Sequence, residues 1–121
     1  MNRARQQGAD WEAAAERWLH ARGLRTVERN FTCRVGEIDL VMEDGETLVF
    51  AEIRFRKNAR FGSGAESVTW VKRQRIIRAA QRYLQFHPHR AVQPCRFDVL
   101  SLDRGAEELR VDWIRDAFSA G

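Results

Sequence analysis

Apolar residues recur along the chain with two different periods. Over residues 9–22, Trp11, Ala14, Ala15, Trp18 and Leu19 fall at helical spacing, with Asp10 expected as N-cap and Gly23 as C-cap. Shorter runs follow. Residues 24–31 read as a polar-rich edge strand, and residues 37–42 and 47–55 as two stronger strands. The Asp44-Gly45 pair between the latter is a hairpin signal, so these two are expected to be antiparallel neighbours. Residues 47–55 begin apolar on both faces, as a strand in the middle of a covered sheet does. Beyond Phe61-Gly62-Ser63-Gly64, read as a flexible connection, a long helix is expected over residues 68–86. Its stripe is Ile76, Ala79, Ala80, Tyr83 and Leu84, and His87-Pro88-His89 ends it. Residues 96–102 and 108–111 read as strands and residues 113–118 as a terminal helical turn. The order α-β-β-β-α-β-β predicts an α/β fold, a central mixed sheet flanked by helices.

A length of 121 residues suits one domain over residues 1–121, with residues 1–7 expected as a flexible arm. No apolar run approaches the roughly 18 to 20 residues of a membrane helix, and the first residues show no signal-peptide pattern. Cys33 and Cys95 stand far apart without a CxxC or His/Cys cluster, which argues against a disulfide scaffold and a structural zinc. The expected compartment is a reducing cytoplasm. The net charge of +4 is unevenly spread. Between Arg54 and Arg90 ten Lys/Arg face one acid, Glu66, so that stretch carries +9 and the remainder −5.

Carboxylates stand where strands should be apolar. Alternation puts Glu37, Asp39 and Val41 on one face of their strand, with Ile38, Leu40 and Met42 on the other; on the next strand it groups Leu48, Phe50, Glu52 and Arg54. Asp39 and Glu52 lie on the two strands of one hairpin and can converge. Paired carboxylates repel unless a cation offsets them, and a hard divalent ion, Mg²⁺ or Mn²⁺, does so with one or two carboxylates, carbonyls and waters. Such an ion polarises a phosphodiester and activates water, with Arg54 as a charge-stabilising neighbour. The alternative is a sheet-end salt bridge between the pair and Arg54. Pattern alone ranks the two level; the basic block, running from Arg54 through Arg56, Lys57 and Arg60 into the helix, tilts the balance toward a polyanion lying across the strand ends. Lys72 falls on the buried stripe one turn before Ile76, beside Thr69 and Arg73; a cation there either pairs with a carboxylate or reaches into the cleft, and the cleft is favoured because Glu66 is the one acid within the block. Trp70 and the loop histidines His87 and His89 are expected to pack and to be solvated, respectively.

The sequence resembles the YraN family of small bacterial proteins from Gly8 to Phe118. The resemblance is carried by Gly8-x-x-x-Glu12, Ala15-x-x-Trp18-Leu19-x-x-x-Gly23, Asn30-Phe31, Gly36-Glu37-Ile38-Asp39-Leu40-Val41 and Leu48-Val49-Phe50-Ala51-Glu52-Ile53-Arg54. It continues through Ser67-Val68-Thr69-x-x-Lys72, Cys95-Arg96-Phe97-Asp98-Val99 and Trp113-Ile114-Arg115-Asp116-Ala117-Phe118. That family in turn is similar to the restriction-endonuclease-like superfamily, archaeal Holliday junction resolvases in particular. The resemblance implies a restriction-endonuclease-like fold and a Mg²⁺- or Mn²⁺-dependent nuclease acting on DNA, including branched DNA. It implies Asp39, Glu52 and Glu12 as metal carboxylates, Ile53 as a carbonyl ligand, Arg54 as the motif cation and Lys72 as a second one. Arg56, Lys57, Arg60 and Arg73 are the expected nucleic-acid contacts. Arg54 stands where the superfamily has Lys, keeping the charge and losing the compact ammonium. Gln74 stands one position beyond the family's Gln. A nucleic-acid-binding protein without turnover is the alternative. Resolvase-like proteins often work as dimers, although no apolar stripe here is left over for a homodimer interface.

Overall fold

The computed structural model describes residues 3–56, 68–104 and 109–120, with side chains from residue 10 onward. Helix α1 (Arg3–His20) leads into β1 (Arg25–Cys33), β2 (Gly36–Asp44) and β3 (Thr47–Phe55). Helix α2 (Trp70–Phe86), a 3-10 turn (Pro88–Arg90), β4 (Cys95–Arg104) and β5 (Leu109–Phe118) complete the order. The five strands lie side by side in chain order. All neighbours are antiparallel except β3 and β4, which are parallel and joined through α2. This is the expected mixed sheet, with β3 at its centre, and is consistent with a restriction-endonuclease-like fold.

The two helices cover opposite faces, and β3 alternates between them. Leu48 and Phe50 pack with Ile76, Ala79, Ala80 and Tyr83 of α2. Val49 and Ala51 pack with Ala15 and Leu19 of α1 and with Leu100 and Leu102 of β4. Burial of each large apolar side chain contributes roughly 1.5–3 kcal/mol. That run of apolar anchors offsets the cost of burying the next residue of the strand, Glu52.

Helix α1 ends as its sequence requires. Gly23 adopts φ 92°, its N–H donates to His20 O, and the Leu24 N–H donates to Leu19 O. Leu24 and Leu19 are buried in the same core, closing the cap with an apolar contact. At its start α1 departs from expectation. Asp10 caps nothing, because the helix already runs from Arg3, so residues expected as an arm are helical from there. Residues 3–9 are rich in Ala, Arg and Gln, which favour helix. In α2 the expected start moves to Trp70, with Thr69 as N-cap, its hydroxyl accepting from the Lys72 N–H.

The C-terminal helical turn expected over residues 113–118 is instead the second half of β5. Val99 pairs with Ile114 and Phe97 with Phe118, leaving three residues of β5 opposite Asp98. Asp116 takes φ 52° in that bulge, and its N–H donates to Asp98 Oδ1. The bulge returns Ile114, Ala117 and Phe118 to the α2 side, while Trp113 packs on the α1 side. Spacings of three and four therefore arise in a strand.

Candidate metal and phosphate site

Strand β2 is irregular where its acid stands. The β2–β3 ladder ends at Leu40 opposite Ala51. One position further, Asp39 Oδ2 accepts from the Ile53 N–H at 2.8 Å, so a side chain takes the place of a main-chain acceptor. Ile38 joins Val41 in the α2-side core, whereas Leu40 and Met42 face α1. The simple alternation expected for Ile38, Leu40 and Met42 thus breaks at Asp39. The same level of β1 is also irregular. Asn30, between the pairs Arg29–Leu40 and Phe31–Ile38, adopts φ 52°, a conformation Asn tolerates better than most residues.

This opening admits acids from both sides of the sheet. Asp39 is 9% exposed and Glu52 5%. Burial, followed by the Glu52 charge, pushes the Asp39 carboxyl up to about 8, against the opposing Ile53 N–H, and Glu12 adds to the rise. Glu12 reaches the cluster from α1. Its own carboxyl is raised by burial and by the charge of Glu37, while a hydrogen bond with the Asn30 side chain opposes the rise. The expected acids Glu12, Asp39 and Glu52 are therefore electrostatic neighbours, with Glu37 alongside. Asn30 is a member of the site that its sequence position marks only as an Asn before a buried Phe.

The cation on Glu52 comes from α2. Lys72 Nζ lies 2.7 Å from Glu52 Oε1. The Thr69 cap fixes the first turn of α2 and with it the point from which Lys72 reaches the strand. Arg54 is half-buried, paired in register with Ser101 of β4, and enters no ion pair among the described residues. Lys72, rather than Arg54, offsets the carboxylates.

The expected nucleic-acid contacts divide. Arg56 donates its N–H to Leu102 O at 2.7 Å and its guanidinium lies 3.4 Å from Asp103, tying it to β4. Arg73 donates from Nε to Val68 O at 3.0 Å and lies over the Phe118 ring. Both serve the fold in this arrangement. Lys57 and Arg60 lie outside the described residues. Trp70, expected to pack, is 71% exposed. His87 stacks on Tyr83, and its Nδ1 lies 2.9 Å from Tyr83 O, so it closes the end of α2 rather than being merely solvated. Cys33 and Cys95 are free thiols.

A second buried acid has no counterpart among the sequence-predicted site residues. Asp98, in the middle of β4, is fully buried. It accepts from Arg96 Nε and from Trp113 Nε1 at 2.9 Å, in addition to the Asp116 N–H. An acid between Phe97 and Val99 in an apolar strand was a visible signal; its partners come from long-range pairing.

Hard oxygen donors at Asp39 and Glu52, buried and mutually repelling, are chemically suited to Mg²⁺ or Mn²⁺, which need only one or two protein carboxylates. Among the described residues no group of three or more His, Cys, Asp or Glu side chains is arranged to hold a metal ion. No helix among them is long and apolar enough to cross a membrane.

Comparisons with known proteins place the chain. The model of the uncharacterised protein family UPF0102 matches residues 11–102. A UPF0102 protein of Xanthomonas oryzae pv. oryzae is 53% identical, over 99% of this chain and 98% of its own. Others from Nitrosococcus oceani and Stutzerimonas stutzeri are 48% and 44% identical, covering 94% and 99% of this chain and 92% and 100% of theirs. With the family model spanning both acidic strands and helix α2, and relatives aligned almost end to end, the chain belongs to the UPF0102 family, the YraN family that its motifs resemble.

Proposed function

We propose that the opening between β2 and β3 is the site of a divalent-metal-dependent phosphodiesterase acting on DNA. The carrying observation is the buried Asp39–Glu52 pair, whose one ion-pair partner among the described residues is Lys72. The second carboxylate, Asp39, is kept protonated by burial and by its neighbour, and a divalent cation that displaces this proton would satisfy both acids in a desolvated place. Asp39 and Glu52 would hold it with the Ile53 carbonyl and water, and Glu12, an electrostatic neighbour of the pair, would join the donor set on moving closer. When bound, it would polarise the phosphodiester and lower the pKa of the attacking water.

The remaining residues have roles of their own. The Ile53 N–H holds Asp39 in orientation, and Asn30 does the same for Glu12. Lys72 and Arg54 stabilise the negative charge that builds on the phosphate, Arg54 by charge alone because its guanidinium transfers no proton. Branched DNA is the substrate to try first, on the strength of the family resemblance alone.

Calorimetric titration with Mn²⁺ and cleavage assays on junction, flap and duplex DNA test this reading. Asp39→Ala and Glu52→Ala are each expected to abolish the Mn²⁺ heat and to lower cleavage roughly 100-fold or more. Cleavage that survives both substitutions belongs to a contaminant and rejects the site. A DNA-binding protein without turnover is the second reading, favoured by the absence of a three-donor group among the described residues and by Lys72 already resting on Glu52. Salt-dependent DNA binding with no Mn²⁺ heat selects it.

A further inference from the structure

The turn between β1 and β2 leans on helix α2. Cys33 pairs with Gly36 across the turn, and Cys33 Sγ donates to Gly36 O at 3.4 Å. A Cβ on Gly36 would stand 2.9 Å from Arg75 O, so glycine is what allows the turn to approach the helix backbone. The approach leaves an open hollow of about 420 Å³, lined by Arg34 from the turn and Arg75 from α2, with Thr32 and Glu37. Arg34 and Arg75 are exposed, and neither enters an ion pair among the described residues. Two guanidinium groups against one carboxylate leave the hollow with a net positive charge.

Glu37, which lines the hollow, stands on β2 two residues before Asp39, so the hollow opens off the strand that carries the acidic cluster. The hollow thus lies along β2 from the carboxylates, and it presents two arginines that enter no ion pair among the described residues. Guanidinium groups are suited to phosphate, which they engage through paired N–H donors. Here two of them line one hollow, carried by a turn and a helix whose backbones pack together.

We propose that Arg34 and Arg75 form a seat for a backbone phosphate of bound nucleic acid, next to the one held at the carboxylates. This rests on the nucleic-acid reading above and adds to it the contact that sets the strand's path across the β1–β2 turn. Arg75 contributes from α2, within the basic block, and Arg34 enters from outside that block altogether.

The test is equilibrium binding of the full chain to fluorescein-labelled duplex and single-stranded DNA in EDTA, titrated with salt between roughly 50 and 200 mM. Arg34→Gln/Arg75→Gln is expected to weaken binding about tenfold at low salt and to make the slope of log K against log salt shallower by about 1 to 2. Arg110→Gln, a charge removed from β5, should leave the slope near that of the wild type. The double variant should melt as the wild type does, since it removes no ion pair among the described residues.

Unchanged affinity and slope in a folded double variant overturn the phosphate seat and leave the nucleic-acid reading standing. If the wild type binds no DNA in any form, both fall together. Calorimetry with inorganic phosphate separates the remaining source. Tight phosphate binding that the double variant loses, without DNA binding, assigns the hollow to a free anion and overturns the backbone-phosphate proposal.

Discussion

Two buried acid sites sit on the central strands, one on β4 and one across β2 and β3, and they are built in opposite ways. Asp98 of β4 is enclosed by donors: the Arg96 guanidinium, the Trp113 indole N–H and the Asp116 amide. Asp39 has the Ile53 amide and faces a second buried carboxylate, Glu52, which shares one lysine with solvent. Each site lies beside a non-glycine residue in the left-handed region, Asp116 in one case and Asn30 in the other. The backbone irregularity is thus common to both, and the supply of donors separates them. A buried charge with its hydrogen bonds satisfied holds a structure together, whereas one opposed by its neighbour is kept for something that arrives later.

The largest effect should come from the satisfied site. Asp98→Ala leaves a guanidinium, an indole N–H and a main-chain N–H in the interior without their common acceptor. A loss of about 3–5 kcal/mol is expected in urea unfolding, with β5 the first strand to lose amide protection in hydrogen exchange. A cost under about 1 kcal/mol would erase the contrast, since Asp98 would then be as dispensable to folding as a surface acid.

At the other site the same type of change should have the opposite sign. Asp39→Asn keeps an oxygen for the Ile53 N–H and removes one of two repelling charges. The wild-type carboxyl is pushed up on folding to about 8, far above the usual carboxylate range. The folded state therefore holds the proton that the unfolded state releases, and wild-type stability falls as pH rises through that window. Asp39→Asn should be more stable than wild type at pH 8. Its advantage should grow by roughly 2 kcal/mol between pH 5 and pH 8, within the ceiling of about 1.4 kcal/mol per pH unit. Thermal melting in EDTA at the two pH values measures it. Saturating Mn²⁺ should narrow the gap by stabilising the wild type alone, as a ligand of the folded state does.

Much of this contrast can be read from the chain, and the part that cannot has a definite cause. Asp39 and Glu52 announce themselves as charges in apolar strands, and Lys72 as a charge on an apolar stripe. Which cation meets Glu52 is not legible, because strand alternation carries Arg54 to the same face while helix α2 returns from outside the local sequence to supply Lys72. The strand order α-β-β-β-α-β-β follows from period and turn chemistry. The last strand resembles a helix because the bulge at Asp116 sets Ile114, Ala117 and Phe118 at helical intervals. Asn30 is hidden for a related reason: its value lies in a left-handed backbone and a hydrogen bond to a residue 18 positions earlier.

The smallest effect asks whether Lys72 belongs to the site in the way Arg96 belongs to Asp98. Its side chain is 43% exposed, so the ion pair with Glu52 is partly screened. Lys72→Met should cost about 1 kcal/mol, well below Asp98→Ala. A double-mutant cycle isolates the contact: in a Glu52→Gln background the same substitution should cost close to nothing, giving a coupling of about 1 kcal/mol. An equal cost in both backgrounds would mean that Lys72 acts through packing of its stem, and Glu52 would then have no counter-ion among the described residues. With coupling of the expected size, Lys72 is an exchangeable counter-ion. It is strong enough to keep the pair folded and weak enough to turn toward a phosphate once another cation holds the carboxylates.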